Sequence, residues 1–418
     1  MRPLMFLFPC SKKRVGLASA IPLILVGLTF VPNNSYAAQN TQYKSVMDLI
    51  ESKSKGLAVN SLKNDHELFT DYTDTDGEWD TKNSRTWCSG FVPGIFWYLS
   101  VMTEDKEWKN RAVSWTEGVR ARSYATDNDT GFQIFDSFGL GYTIGGENTE
   151  DYKSVMVTGA KTLVEERYNN EIGAFRSWKQ GVSNPISMPF EVNIDQLMNM
   201  ELVLWVGKNA DKPEYTQMAI SHADKTWANN VRENGSTYHV VSYNSQGQVV
   251  KKRTHQGWKT ESTWSRGQAW AVYAYAMYYR YTGLDRMLER SKKSYQYYLE
   301  ATKKQTNDLV PYADFDAPLD KDNPRDSSAA AIVASALIEL YKITKEEQYL
   351  NDAQAMLNSL ATPTYLANNP DYESILLKGS EKWGEPEVGS IFGDYFFVEA
   401  LYRWKVWTNK PLPEHFGL

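Results

Sequence analysis

The sequence is poor in the residues that build metal centres and disulfide frameworks. Its 418 residues include two cysteines, Cys10 and Cys88, and five histidines too scattered to form a zinc-binding pair. The glycine-rich patterns of nucleotide-binding loops and the G-x-S-x-G pattern of serine hydrolases do not occur. Two calcium-like stretches, 74–77 and 127–129, lack the glutamate that completes an EF-hand loop. We therefore predict no metal ion and no cofactor.

Acidic residues are missing from the N-terminal segment, which has the pattern of a targeting sequence. The charged residues of 1–14 are all basic, an apolar run follows at 15–31, and small residues end at Ala37-Ala38. This order is typical of a secretory signal peptide. We predict that residues 1–37 form the signal, with cleavage after Ala37 or Ala38, and that the protein is periplasmic or secreted. An uncleaved membrane anchor is the alternative.

Loss of the signal removes four basic residues and takes the formal net charge from −6 to −10. A domain this acidic is a poor partner for nucleic acids and anionic membranes. We expect no nucleic-acid partner, no membrane partner after signal cleavage, and small partners held by a few local charges. Cys88 is then the only cysteine, which excludes an internal disulfide bond.

Residues 38–418 have the pattern of a single domain of alternating helices. Charged amphipathic helices that start with an acidic turn, such as 106–122, 150–167 and 213–229, alternate with more apolar ones. The apolar helices are predicted at 90–102, 131–144, 194–207, 267–281, 327–343 and 394–407. Because apolar helices are buried and amphipathic ones cover them, we predict an all-α (α/α)6 barrel, a toroid of six helical hairpins. An open superhelix of helical repeats is the alternative.

Polar clusters stand at the start of each predicted inner helix. Parallel inner helices would gather these N-termini, which favour anions, on one rim. Each cluster alone has a structural explanation, since Asp and Ser are common N-caps, but six together favour a site. The chain also has 14 Trp, 26 Tyr and 16 Phe, and aromatic rings often line carbohydrate sites. The clusters are at 87–90, 128–131, 193–195, 265–268, 325–328 and 392–394.

Ordered segments at these clusters carry a family resemblance. The segments are Trp87-x-Ser89-Gly90-Phe91-x-Pro93-Gly94-x-x-Trp97, Asp129-x-Gly131-Phe132 with Ser137-Phe138-Gly139-x-Gly141-Tyr142, Ile194-Asp195-x-x-Met198-Asn199, His255-Gln256-Gly257 with Ser262-Thr263-Trp264-Ser265-Arg266-Gly267-Gln268-Ala269-Trp270, Arg325-Asp326-Ser327-Ser328-Ala329-Ala330, and Gly393-Asp394-Tyr395-Phe396-Phe397-x-Glu399-Ala400-Leu401. Taken together and in this order, they resemble the unsaturated glucuronyl hydrolases of glycoside hydrolase family 88.

The resemblance implies the substrate and the chemistry. The substrate is an oligosaccharide whose non-reducing end carries a 4,5-unsaturated uronic acid, the product of a polysaccharide lyase. An acid protonates C4, water adds at C5, and the resulting hemiketal opens and expels the rest of the chain. Such an acid must be protonated near neutral pH, and neighbouring carboxylates raise its pKa. By resemblance, Asp195 is the catalytic acid and base and Asp129 is its partner.

The same resemblance implies substrate-binding residues. Arg266 is the candidate to pair bidentately with the uronate carboxylate, and Trp87 and Trp270 are candidates to stack on the sugar. Asn128 stands where the family often has histidine; it cannot titrate but can donate a hydrogen bond. The full set is Arg266, Trp270, Gln256, His239, His255, Trp87 and Asn128.

The sequence also allows other interpretations of the function. The unsaturated rhamnogalacturonyl hydrolases share the toroid and the paired aspartates, but usually carry Arg-Gly-Asn-Gly-Trp where this chain has Arg266-Gly267-Gln268-Ala269-Trp270. A secreted glycan-binding protein without activity is a second alternative. A helical scaffold for protein partners leaves the carboxylate-rich rim unexplained. The parent polysaccharide stays open among glycosaminoglycan, ulvan, gellan and xanthan.

Overall fold

Alternating apolar and amphipathic helices make up most of the structure, a computed structural model that describes residues 43–62, 68–178 and 190–418. The predicted signal peptide lies outside these residues. In chain order the helices are α1 (Val46–Leu62), α2 (Phe91–Thr103), α3 (Lys106–Val119), α4 (Thr130–Ile134), α5 (Leu140–Thr143), α6 (Glu150–Arg167), α7 (Gln196–Asn209), α8 (Pro213–Asn230), α9 (Ser265–Thr282), α10 (Asp285–Gln305), α11 (Ser327–Thr344), α12 (Glu347–Leu360) and α13 (Ile391–Trp407). A π-helical turn, Phe135–Gly139, joins α4 to α5.

Six helical segments form an inner ring: α2, α4 continued by α5, α7, α9, α11 and α13. Their bounds agree with the predicted apolar helices to within a few residues. In α11 every residue from Ser327 to Tyr341 is buried. This helix is long and apolar enough to cross a membrane, but 83% of it lies inside the structure, so its composition is that of a core helix. The amphipathic helices between them pack outside.

The inner ring is closed. Each inner helix packs beside the next, and α13 returns to pack against α2. At Gly94 on α2 the two helices are so close that a Cβ atom would lie 2.4 Å from the ring of Tyr395 on α13. Nearby, the rings of Tyr98 and Tyr402 lie 4.9 Å apart between centroids. The predicted (α/α)6 barrel is confirmed, and the open superhelix is wrong.

Buried charges link the inner helices at the centre of the barrel. Glu399 on α13 accepts hydrogen bonds from Tyr98 on α2, Tyr273 on α9 and Ser335 on α11, at 2.9, 2.9 and 2.6 Å. Arg403, one turn along α13, lies 3.1 Å from Glu399 and balances its charge. Because breaking such a pair leaves an uncompensated buried charge, this network resists displacement of any one inner helix.

Short antiparallel sheets, which we did not predict, lie in the connections between the helices. One of them positions the site, since the strand Val240–Tyr243 pairs with the strand Phe190–Asn193 and the backbone N–H of Ile194 donates to His239 O at 2.9 Å. This pairing brings residues far apart in sequence to the start of α7. The pairs are β1 (Phe69–Thr73) with β2 (Trp79–Lys82), β3 (Tyr168–Asn169) with β4 (Ala174–Phe175), β5 (Phe190–Asn193) with β6 (Val240–Tyr243) and then β7 (Val249–Arg253), and β8 (Gly379–Ser380) with β9 (Glu387–Val388).

Candidate active site

A cavity of about 340 Å³ opens where the inner helices begin. Trp87 precedes α2, Asp129 precedes α4, Asp195 precedes α7, and Arg266 lies in the first turn of α9. The cavity is lined by Asp71, Tyr72, Lys82, Trp87, Asn128, Asp129, Phe132, Trp178, Asn193, Asp195, His255, Gln256, Trp264, Arg266, Trp270 and Glu381. Four of the predicted polar clusters therefore meet at one end of the barrel.

The clusters at the starts of α11 and α13 lie behind the cavity wall. Asp326 is completely buried and pairs with Arg266. Asp394 accepts hydrogen bonds from the backbone N–H groups of Ile375 and Leu376 at 2.9 and 2.8 Å. Asp326 thus holds Arg266, a residue of the cavity wall, and Asp394 fixes the backbone of residues 375–376.

Asp129 is held by two side-chain amides. Its Oδ1 accepts hydrogen bonds from Nδ2 of Asn128 at 2.9 Å and from Nδ2 of Asn199 at 3.1 Å. Burial raises the pKa of Asp129 to about 6; the hydrogen bond from Asn199 opposes this rise, and the negative charge of Asp195 adds to it. The protonation of Asp129 therefore changes just below neutral pH.

Close packing of α4 on α7 brings Asn199 to Asp129. A Cβ atom at Gly131 would lie 2.2 Å from the backbone oxygen of Asn199, so only glycine permits this approach. Asn199 also accepts a hydrogen bond from the backbone N–H of Phe132 at 2.9 Å. Both ends of its amide are thereby fixed.

Asp195 stands at the N-terminus of α7, but its side chain does not cap the helix. Asn193 does so instead: its Oδ1 accepts from the backbone N–H of Gln196 at 3.1 Å and from Ser177 Oγ at 2.6 Å. The carboxyl of Asp195 is left to the cavity, with 17% of its side chain exposed and Oδ2 3.4 Å from His239 Nε2. A capping role for Asp195 is thus excluded.

Aromatic rings form the floor of the cavity. The ring centroids of Trp87 and Phe132 lie 5.8 Å apart, and those of Phe132 and Trp270 lie 5.7 Å apart. Trp87 is half-buried, whereas Trp270 is only 1% exposed. Both line the cavity as predicted, and Trp87 offers the larger free surface to a sugar.

Arg266 reaches the cavity with its charge already paired. Its Nη1 lies 2.8 Å from Asp326 Oδ2 and also donates to the backbone oxygen of Ser380, while Nη2 donates to that of Glu381 at 2.7 Å. A bidentate pairing of both Nη atoms with a uronate requires these partners to be displaced. Arg266 lines the cavity and also anchors the 380–381 segment, and its pairing with the uronate stays a prediction.

Gln256, His255 and His239 differ in how far they are exposed to the cavity. Gln256 lines the cavity and donates from Nε2 to the backbone oxygen of Glu381 at 3.0 Å. His255 also lines the cavity and is exposed. His239 is 3% exposed and, within the described chain, lies behind Asp195 rather than on the wall. Contact between His239 and the sugar stays a prediction; the structure places its Nε2 3.4 Å from Asp195 Oδ2.

Several residues of the cavity wall, and one residue that holds Asp129, were not predicted. The donor to Asp129, Asn199, was within reach of sequence reasoning, because it follows Asp195 by one helical turn and shares its face. Trp264 lies in the segment Ser262–Trp270, which carries the family resemblance, but we predicted no individual function for it. Trp178 carried no recognisable signal, and neither did Lys82, whose ammonium lies 3.3 Å from both Asp71 and Asp80. The lining residues for which we predicted no individual role are Asp71, Tyr72, Lys82, Phe132, Trp178, Asn193, Trp264 and Glu381.

The donor set of the site does not resemble a metal centre. Across the described ranges, three or more His, Cys, Asp or Glu side chains nowhere gather as metal ligands would. The cavity is lined instead by carboxylates, paired cations, amides and aromatic rings.

Comparison with known proteins identifies the family. Residues 59–403 match Glycosyl Hydrolase Family 88. The chain belongs to this family. This confirms the resemblance inferred from the ordered motifs.

Curated members of the family resemble the chain over most of its length. It is 39% identical to an unsaturated glucuronyl hydrolase of Formosa agariphila, over 77% of this chain and 80% of the relative. It is 29% identical to an unsaturated glucuronyl hydrolase of Bacillus sp. (strain GL1), over 83% and 94% of the two chains. A crystal structure of an unsaturated glucuronyl hydrolase specific for heparin superimposes with a TM-score of 0.79 and 32% identity, covering 86% of this chain and 96% of that one.

Proposed function

We propose that this family 88 hydrolase removes the 4,5-unsaturated glucuronyl residue from the non-reducing end of lyase-generated oligosaccharides by hydrating its C4=C5 vinyl ether. Family membership and the curated unsaturated glucuronyl hydrolases support the substrate class. The observation that carries the mechanism is the pair of carboxylates, Asp129 and Asp195, that line one cavity.

In the proposed reaction, Asp195 in its protonated form gives its proton to C4. The C4=C5 electron pair forms the new C–H bond, and the positive charge at C5 is shared with O5. Water adds to C5 and returns a proton to the Asp195 carboxylate, which restores the catalyst. The C5 hemiketal opens to a ketone, and C1 then releases the remaining oligosaccharide. Protons and electrons balance without a cofactor.

Asp129 supports this chemistry by its charge and its position. Its pKa of about 6 leaves it mostly ionised at neutral pH. A negative charge there opposes a second one in the same cavity, so the pair favours holding a proton. Asn128 contributes a neutral N–H donor to Asp129, which suits a fixed hydrogen bond and supplies no proton.

The aromatic floor of the cavity fits a sugar ligand. Trp87 and Trp270 offer ring surface to the apolar face of the unsaturated sugar. We infer that the oligosaccharide reaches the enzyme in the periplasm or outside the cell, which the basic, apolar and small-residue order of residues 1–38 supports.

The test is a panel of lyase-generated oligosaccharides, including heparin, chondroitin, ulvan, gellan and xanthan fragments. Loss of the ultraviolet absorbance of the conjugated double bond is expected for at least one of them. In deuterated water the released sugar should carry deuterium at C4, because ordinary glycosidases protonate only the glycosidic oxygen. Binding without loss of absorbance would instead identify a glycan-binding protein, and turnover without deuterium at C4 would reject hydration.

A further inference from the structure

Both ring nitrogens of His239 have defined surroundings. Nδ1 accepts hydrogen bonds from the backbone N–H groups of His255 at 3.2 Å and Gln256 at 3.3 Å. A nitrogen that faces two N–H donors keeps its lone pair. In the neutral imidazole the proton therefore lies on Nε2.

The protonated nitrogen points at Asp195. His239 Nε2 lies 3.4 Å from Asp195 Oδ2. Both atoms are buried, and the described residues offer neither of them a formed hydrogen bond. The separation is long for a hydrogen bond, as is common in catalytic sites without substrate, where such contacts tighten on binding. Since Oδ2 is buried, Oδ1 is the oxygen of Asp195 that faces the cavity.

The ring of His239 is fixed by packing and by the sheet. It stacks on Trp264, with 4.7 Å between centroids and 30° between planes, and Trp178 lies edge-on at 6.1 Å. Its backbone oxygen accepts from Ile194, the residue before Asp195. The sheet thus sets the distance between the backbones of 195 and 239, and Trp264 sets the plane of the ring.

We propose that His239 is a positioning residue: its Nε2–H holds Oδ2 of Asp195, so that Oδ1 carries and delivers the proton to C4, and the backbone of residues 255–256 fixes the required tautomer. This rests on the proposed function. The hydrogen bond from His239 Nε2–H to Oδ2 is compatible with each step of the proposed hydration. Oδ1 loses its proton to C4 and regains one from water, while His239 neither gains nor loses a proton.

Two substitutions of His239 separate the role of the Nδ1 acceptor from the role of the Nε2–H donor. In His239→Asn the amide lies near the position of Nδ1, which keeps an acceptor for the 255–256 backbone and removes the donor to Asp195. In His239→Gln the amide reaches the position of Nε2, which keeps the donor. We expect kcat to fall about 10²-fold in His239→Asn, as a misplaced catalytic group would cause, with KM nearly unchanged. His239→Gln should retain clearly more kcat than His239→Asn.

A second measurement reads the tautomer without depending on either variant. In ¹⁵N-histidine-labelled wild-type protein, the His239 ring, assigned by its loss in His239→Gln, should show a protonated Nε2 and an unprotonated Nδ1. A protonated Nδ1, equal kcat in the two variants, or a loss confined to KM would overturn the proposal. Absence of deuterium at C4 in the wild type would reject the proposed function separately, because it leaves the tautomer and the kcat order unaffected.

Discussion

Asn199 donates its side-chain amide to Asp129 Oδ1 across 3.1 Å, from the helical turn that follows Asp195. One helix thereby supplies the candidate acid and the group that stabilises the ionised form of its partner. The two carboxylates also influence each other through their charges, since the negative charge of Asp195 raises the pKa of Asp129.

Removing this donor should change the pH dependence of the reaction. Asn199→Ala abolishes a hydrogen bond that lowers the pKa of Asp129, so that pKa should rise above its present value of about 6. If activity requires the Asp129 carboxylate, the acidic limb of the kcat/KM profile moves to higher pH, by about one unit for a hydrogen bond to a charged group. Asn209→Ala, at the exposed far end of α7, is the matched control. An unmoved limb would contradict the role given to Asn199.

Loss of the transferable proton should nearly abolish turnover. Asp195→Asn preserves shape and some hydrogen bonding but cannot protonate C4, so kcat should fall by about 10²–10⁴-fold while binding survives. Steady-state kinetics on an unsaturated disaccharide measures this, with Asp322→Asn, an exposed acid outside the cavity, as the control. A variant within about tenfold of wild type would remove Asp195 from the mechanism.

Because Arg266 is paired with buried Asp326, its replacement should lower the free energy of unfolding, whether or not it also weakens substrate binding. Arg266→Ala leaves Asp326 buried without its partner, and breaking such a pair costs about 3–5 kcal/mol in the free energy of unfolding. Denaturant unfolding of Arg266→Ala and of Arg266→Lys, which keeps the charge, measures this. A strong rise in KM without loss of stability would show instead that Arg266 grips the uronate directly.

The signal peptide can be tested on protein purified from its native host. We expect a mature N-terminus near Ala38 or Gln39 and recovery from the periplasm or the medium. An N-terminal sequence that retains residues 12–14 would show that the segment is not removed.

Much of the fold was predictable because it follows local patterns. The alternation of helices with and without a charged face placed the inner helices to within a few residues, since burial on most faces requires apolar residues on most faces. The small sheets escaped prediction because strands as short as β5 and β6 have no distinctive period. Yet their pairing brings His239, 44 positions along the chain, to the start of α7.

The sequence by itself determined the helical periodicity, the acidic character of the chain and the family, because each depends on residue types and their order. It also identified Asp129 and Asp195, through ordered motifs. Only the tertiary structure decided what each side chain does. Asn193 rather than Asp195 caps α7, Arg266 is paired with Asp326, and Nε2 of His239 lies 3.4 Å from Oδ2 of Asp195. These outcomes depend on contacts between residues distant in sequence, and closure of the ring fixes those contacts, which no local pattern encodes.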